Sequence, residues 1–192
     1  MSGALPPGGT RGERLGSRTQ FDGRVFRLDT DTVRFPDGST GELDIIRHPG
    51  ASAIVPFLSD PAGEDPQLLL LRQFRWAAND VLYEIPAGRL NPGESPLEAA
   101  AREVREETGC AAGHLTHLFT MYTTPGFTDE TIHCYLATDL VTATTEGRDA
   151  DEFIEVETVT LSRALGMVRD GTIRDAKTAL ALLYVAGYVA GR

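Results

Sequence analysis

The feature that most constrains this chain of 192 residues is a run of glycines and carboxylates at fixed spacing between residues 88 and 110. The run reads G-x5-E-x7-R-E-U-x-E-E-x-G-U, where U is apolar, and its defining positions are Gly88, Glu94, Arg102, Glu103, Val104, Glu106, Glu107, Gly109 and Cys110. Ser95 fits an N-cap, Glu98 completes a capping box, and Gly109 fits a helix stop. The spacing therefore predicts a loop followed by a helix that begins at Pro96.

The predicted helix has an apolar face and an acidic face. The apolar residues that recur at helical spacing are Leu97, Ala100, Ala101 and Val104. At about 100° per residue, Glu103, Glu106 and Glu107 fall within an arc of roughly 100°, turned about 120° from the apolar stripe. Like charges at these spacings repel each other, so we expect a cation to offset them.

Magnesium is the cation that suits such a cluster best. Mg²⁺ is held by a few carboxylates together with substrate phosphate oxygens and water. The plainer alternative is a solvated acidic helix face that Arg102 and Arg105 neutralise in part. The length of the pattern, with loop, cap and helix in consistent places, favours the metal site.

The run resembles the Nudix box of the Nudix hydrolases, and it departs from that box at no defining position. The resemblance implies an α/β fold, the Nudix α/β/α sandwich with a mixed sheet. It also implies cleavage of a nucleoside diphosphate derivative with Mg²⁺ or Mn²⁺, at roughly two or three ions per site. By position, the metal ligands would be the backbone carbonyl of Ala87 and the side chains of Glu103, Glu106 and Glu107, while Arg102 would orient the glutamates.

Segments outside the box are similar to those of ADP-ribose pyrophosphatases. The strongest is the run YTTPGFTDE at residues 122–130, in which Pro125 lies 16 residues after Gly109. The segments QFR at 73–75, EIPAG at 84–88 and RDAKT at 174–178 also look like that subfamily. The resemblance implies hydrolysis of ADP-ribose to AMP and ribose 5-phosphate.

These segments supply candidate substrate-binding residues. Arg75 is the candidate for contacting the diphosphate, and Glu84 for hydrogen bonding to substrate or ribose. Pro125, Gly126 and Phe127 are candidates from the marker segment. Each has a plainer interpretation: Arg75 as a surface cation, Pro125 and Gly126 as a turn, and Phe127 as a core residue.

The reaction also needs a general base for the attacking water. Glu106 could serve, but ADP-ribose pyrophosphatases often use a glutamate on an acidic loop after the later strands. Glu152 is the best positional match here, and Glu146 and Asp151 are the next candidates. The plainer interpretation is a polar, solvated loop.

The order of elements predicts three regions. Residues 1–20 are rich in Gly, Pro, Arg and Ser and are expected to form a flexible leader. Residues 21–50 are expected to form a small N-terminal antiparallel β unit, and residues 51–192 the hydrolase domain, with mixed strands around a central helix. By the family resemblance, the β unit would join two protomers in a homodimer.

Composition limits the partners. The formal net charge of −10 argues against binding to nucleic acid and against a polybasic membrane anchor. No apolar run is long enough to span a membrane, no signal peptide is apparent, and the two cysteines suit reduced core thiols. We expect a cytoplasmic protein whose partner is a small-molecule nucleoside diphosphate sugar.

Two alternative functions stay open on the sequence. The first is another Nudix substrate such as GDP-mannose, because the leaving group is chosen by residues outside the box. The second is a sensor that binds ADP-ribose without hydrolysing it. The full set of box carboxylates makes the sensor the weaker of the two alternatives.

Overall fold

The computed structural model describes residues 11–143 and 153–191. In chain order the elements are β1 (Glu13–Asp22), β2 (Arg27–Arg34), β3 (Thr40–Arg47), β4 (Ala51–Pro56), β5 (Gln67–Arg75), β6 (Asp80–Glu84), β7 (Ala87–Arg89), α1 (Pro96–Thr108), β8 (Cys110–Ala111), β9 (His114–Tyr122), β10 (Thr131–Thr138), β11 (Val141–Thr142), β12 (Ile154–Thr160), α2 (Leu161–Arg169) and α3 (Ala176–Tyr188). None of the helices in these ranges has the length and hydrophobicity needed to cross a bilayer.

The chain forms two compact units. The first combines the described residues up to Gly50 with Tyr122–Thr131, and the second combines Ala51–Met121 with the described residues from Ile132 onward. The first unit therefore includes the marker segment that holds Pro125 in addition to the N-terminal strands.

The first unit is built on a three-stranded antiparallel sheet in the order β1-β2-β3. Its central strand is polar, yet Asp29 and Asp31 are buried. Arg47 on β3 pairs with both of these carboxylates and also donates to Asp129, 3.0 Å away. Ion pairs, rather than an apolar layer, therefore hold the middle of this sheet.

The N-terminal prediction differs from the structure in one respect. Residues 1–20 were expected to form a flexible leader, but β1 begins at Glu13. All ten residues of β1 are exposed, and its sequence shows no alternation of apolar and polar residues that would predict a strand. What orders β1 is backbone pairing with β2 and hydrogen bonds such as the one from Ser17 Oγ to Asp31, at 2.7 Å.

The second unit is an α/β/α sandwich. Its mixed sheet has the order β7-β4-β10-β9, in which β4 and β10 are parallel, and a second, antiparallel sheet has the order β12-β5-β6. Alternate residues of β4 face opposite sides: Ala53 and Val55 belong to the core that includes α2 and α3, and Ile54 packs in the core that includes α1. The predicted fold class is confirmed.

The box helix α1 has the predicted ends but a different buried face. Ser95 and Glu98 form the capping box, and Gly109 closes the helix at φ 73°. Leu97 is 50 % exposed, whereas Glu103 is 8 % and Glu107 is 2 % exposed. Two of the three glutamates thus lie on the buried face, so the prediction that they stand apart from it was wrong. They can do so because Arg102 donates to Glu103 and the backbone N–H of Ala87 donates to Glu107.

Candidate active site

Gly88 lies against the first box glutamate. It belongs to β7 and pairs with Ser52 of β4. A Cβ atom added to Gly88 would stand 1.8 Å from Oε1 and 2.1 Å from the carboxyl carbon of Glu103. No side chain fits in that space, so only glycine lets the strand and the carboxylate approach each other this closely.

Arg102 joins the box loop to the helix. Its Nε and Nη2 donate to Glu94 at 2.8 and 2.9 Å, and its Nη1 donates to Glu103 and, at 3.1 Å, to Glu106. Nη2 also donates to the carbonyl oxygen of Arg89 at 3.0 Å. Hydrogen bonds to Glu94 and the charges of the box glutamates raise the pKa of Arg102 against the effect of burial.

Glu94 holds the loop that precedes α1. Its Oε2 accepts from the backbone N–H of Asn91 at 2.8 Å. The bond from Arg102 lowers the pKa of this carboxyl, which partial burial would raise. Glu94 therefore connects the loop before α1 to Arg102 of the helix.

Glu107 is the most deeply buried of the three box glutamates. Its Oε2 accepts from the backbone N–H of Ala87 at 2.9 Å. The loop entry and the last turn of α1 are thereby fixed to each other. The backbone carbonyl of Ala87 was the fourth predicted ligand, and the residue that carries it lies next to Gly88 and in contact with Glu107.

The donor chemistry of this cluster fits a hard divalent cation. Glu103, Glu106 and Glu107 offer carboxylate oxygens only, and Gly88 leaves room for the carboxylate of Glu103. In the described ranges, no three or more Asp, Glu, His or Cys side chains are already gathered to hold a metal ion. Nη1 of Arg102 donates to oxygens of both Glu103 and Glu106. A bound cation would replace part of that contact.

A second charged cluster lies at the end of β6, just before the box. The Glu84 carboxylate is 3 % exposed and accepts from Arg75 Nε at 2.8 Å and from Arg75 Nη2 at 2.9 Å. Lys177 Nζ donates to the same carboxylate. Burial would raise the pKa of Glu84, but these two cations hold it at about 2.

Arg75 connects this cluster to the box electrostatically. The hydrogen bond to Glu84 raises its pKa, burial opposes that change, and the charges of Glu84 and Glu107 raise it further. Its side chain remains 41 % exposed. Arg75 is thus more than a surface cation, since it is paired with a buried carboxylate while its side chain stays partly exposed.

Glu84 was expected to hydrogen-bond to substrate or ribose, and that stays a prediction. In the structure its two oxygens accept hydrogen bonds from Arg75 and Lys177. Glu84 is placed to orient Arg75. The sequence signal for this pairing is weak, because Arg75 lies opposite Asp80 in the β5–β6 ladder and Glu84 lies opposite Leu71, four residues away.

The marker segment belongs to the first unit. Thr124 O accepts from the N–H groups of Phe127 and Thr128 at 3.1 and 3.2 Å, so Pro125 and Gly126 lie in a turn. Phe127 is 51 % exposed, which excludes the core interpretation within this unit. The three candidates for the general base on the acidic loop, Glu146, Asp151 and Glu152, lie outside the described residues.

Comparison with known proteins gives concordant results. The model of the NUDIX domain family matches residues 48–182. The chain is 40 % identical to an ADP-ribose pyrophosphatase of Bacillus subtilis (strain 168) over 166 residues, covering 86 % of this chain and 87 % of that protein. It is 37 % identical to a methanol dehydrogenase activator of Bacillus methanolicus over 166 residues, with the same coverage of 86 % and 87 %. A crystal structure of an ADP compounds hydrolase shares the fold, with a TM-score of 0.78 at 24 % identity over 94 % of this chain and 95 % of that chain.

Proposed function

The chain belongs to the Nudix family, and from that premise we propose that it hydrolyses the diphosphate linkage of ADP-ribose to AMP and ribose 5-phosphate. The observation that carries the proposal is the closeness of two charged clusters in the second unit, since Glu84 ends β6 three residues before Ala87, whose backbone N–H donates to Glu107. One cluster pairs Arg102 with Glu103 and Glu106, and the other pairs Arg75 with buried Glu84. The first suits divalent cations, and the second presents a guanidinium to an anion.

Mg²⁺, or Mn²⁺, is the cofactor of this proposal. The residues that would hold it are Glu103, Glu106 and Glu107 with the carbonyl of Ala87. When bound, the cation would neutralise charge on the phosphate oxygens and lower the pKa of a water molecule. The number of ions, roughly two or three, follows from the family resemblance alone.

Side chains of this protein would position the metal ligands and bind the substrate. Arg102 holds Glu103 and Glu106 in place through its Nη1. Arg75, held at one edge by Glu84, would bind phosphate oxygens with its remaining N–H groups, because a planar guanidinium carries N–H donors along more than one edge. Pro125, Gly126 and Phe127 would contact the substrate, for which the exposure of Phe127 leaves the ring available.

Glu152 is proposed as the general base that takes a proton from the attacking water, with Glu106 as the alternative within the box. A Glu152→Gln variant should lose most of its kcat while KM stays close to the wild-type value. Full activity of this variant would move the role to Glu106.

A homodimer and a cytoplasmic location complete the proposal. Large apolar side chains are exposed on the first unit, namely Leu15, Phe21, Val25, Phe26 and Leu43. Such exposure supports an interface between copies of the chain. Both cysteines are free, as expected in a reducing compartment. Sedimentation at micromolar concentration tests the dimer, and a lone monomer species would contradict it.

The test of the function is release of AMP and ribose 5-phosphate from ADP-ribose with Mg²⁺. GDP-mannose, NADH and a metal-free sample are run beside it, and Glu106→Gln serves as the negative control. Selective, metal-dependent cleavage of ADP-ribose is the expected result. Preference for GDP-mannose would keep the enzyme class and discard the substrate, while binding without turnover would favour the sensor.

A further inference from the structure

Lys177 occupies an unusual place for a lysine. It lies in the first turn of α3, and its side chain is only 12 % exposed. The Nζ atom donates to Glu84 and, at 2.9 Å, to Asp175. A nearly buried ammonium is costly unless carboxylates receive it, and here two do.

The rest of the first turn of α3 fixes the same segment. Asp175 is the N-cap of α3, and its Oδ2 accepts from the backbone N–H of Thr178 at 3.0 Å. Thr178 Oγ1 in turn accepts from the backbone N–H of Ile85 at 2.9 Å. The start of α3 is therefore attached to Glu84 through a side chain and to Ile85 through the backbone, immediately before the box loop.

The hydrogen bonds of Glu84 show what Lys177 adds. Arg75 alone already forms a bidentate ion pair with Glu84 through Nε and Nη2. That pair by itself is electrically neutral and would leave the guanidinium with little attraction for a phosphate. A second cation on the same carboxylate shares its negative charge, and the N-terminus of α3 that Asp175 caps offsets part of the charge of Asp175.

We propose that Lys177 is a positioning residue for the substrate diphosphate, which acts through Glu84 on Arg75 and does not touch the substrate itself. This inference rests on the proposed function, because it assigns a role in binding the diphosphate. Glu84 orients Arg75. Because Lys177 neutralises part of the charge of the same carboxylate, the guanidinium of Arg75 attracts the phosphate oxygens more strongly.

The first test is the kinetics of Lys177→Met, which keeps the length of the side chain and removes its charge. We expect KM for the substrate to rise about tenfold with kcat within about twofold of wild type, because binding in ground and transition states weakens alike. The matched control is Arg174→Met, which removes the same charge three residues earlier from an exposed pair with Asp80. Its KM should stay at the wild-type value.

The second test asks whether the effect passes through Arg75. In an Arg75→Met background, adding Lys177→Met should raise KM by less than about twofold, because coupled residues are not additive. An equal, independent rise in both backgrounds would show direct contact with substrate and overturn the proposal. Unchanged KM in Lys177→Met would overturn it as well.

A charge-retaining variant separates positioning from folding. Lys177→Arg should bring the KM back most of the way from the raised value of Lys177→Met to that of the wild type. If the role of Lys177 were purely structural, Lys177→Arg and Lys177→Met would lose melting temperature to the same extent and activity to the same extent. Should Lys177→Met not fold, Lys177→Gln takes its place in the same comparison. Failure of the proposed function is distinguishable, since it appears as an inactive wild type; if GDP-mannose is cleaved instead, its KM is measured in the same way.

Discussion

Two charged clusters of the second unit use the same pairing of arginine and carboxylate with different balances of charge. Around Arg102, one guanidinium pairs with three carboxylates, those of Glu94, Glu103 and Glu106. Around Glu84, two cations, Arg75 and Lys177, pair with two carboxylates, because Lys177 also donates to Asp175. The first cluster is short of positive charge and the second is not. Both clusters contain the same kinds of side chain, so the number of carboxylates for each cation decides which cluster suits a cation and which suits an anion.

The largest effect should come from removing a carboxylate at the first cluster. Glu103→Gln keeps the size of the side chain and loses its charge, so we expect kcat to fall by roughly 100-fold or more with Mg²⁺. The matched control is Glu98→Gln in the same helix, which weakens the capping box but leaves the cluster intact. Similar activity in both variants would show that the charge of Glu103 is not needed.

The close contact between Gly88 and Glu103 gives the second prediction. Gly88→Ala places a methyl group 1.8 Å from the present position of Glu103 Oε1, so the carboxylate must move. We expect kcat/KM to fall by about 100-fold, since catalysis is sensitive to small displacements of its groups. Gly187→Ala in α3, where nothing lies within 4 Å of the added Cβ, is the control and should retain full activity. An active Gly88→Ala enzyme would mean that Glu103 need not stay where it lies.

The two clusters also differ in how far their partners lie along the chain. Arg102 finds Glu94 eight residues before it and Glu106 four residues after it. Local spacing of this kind is what helix periodicity and a capping box can predict. Lys177 and Glu84 are 93 residues apart. No local pattern predicts such a pair, so the residues of the first cluster could be predicted to lie together, whereas the pairing of Lys177 with Glu84 could not.

The errors of prediction have a common physical cause. The helix ends of α1 follow from residues that lie within it or beside it, and they were correct. Its buried face depends on what packs against it, and Gly88 and the N–H of Ala87 admit Glu103 and Glu107 where apolar residues were expected. β1 likewise depends on the pairing that β2 offers, because its own residues are all exposed.

At the second cluster, the geometry of the guanidinium gives the third prediction. Arg75→Lys keeps the charge but cannot reproduce the two parallel bonds to Glu84 and a free edge at once. We expect KM to rise about tenfold while kcat changes much less. Arg72→Lys on the same strand, whose partner Glu155 is exposed, is the control. A wild-type KM in Arg75→Lys would show that a point charge is sufficient.

The smallest effect concerns stability and its dependence on pH. The folded-state pKa of Glu84 is about 2, against an ordinary value of 4.5, so its ionised form stabilises the fold above that ordinary value and the contribution is lost as the pH falls toward 2. Glu84→Gln leaves Arg75 and Lys177 without their shared charge, and we expect a loss of about 1–3 kcal/mol at neutral pH. The melting-temperature difference between wild type and Glu84→Gln should shrink as the pH is lowered from 4.5 toward 2, because protonated Glu84 resembles glutamine. Glu42→Gln, on an exposed strand residue of the first unit, should show little difference at any pH. If the melting-temperature difference between wild type and Glu84→Gln stays constant over this range, the two cations do not keep Glu84 ionised. The contrast drawn between the two clusters would then be wrong for the cluster around Glu84.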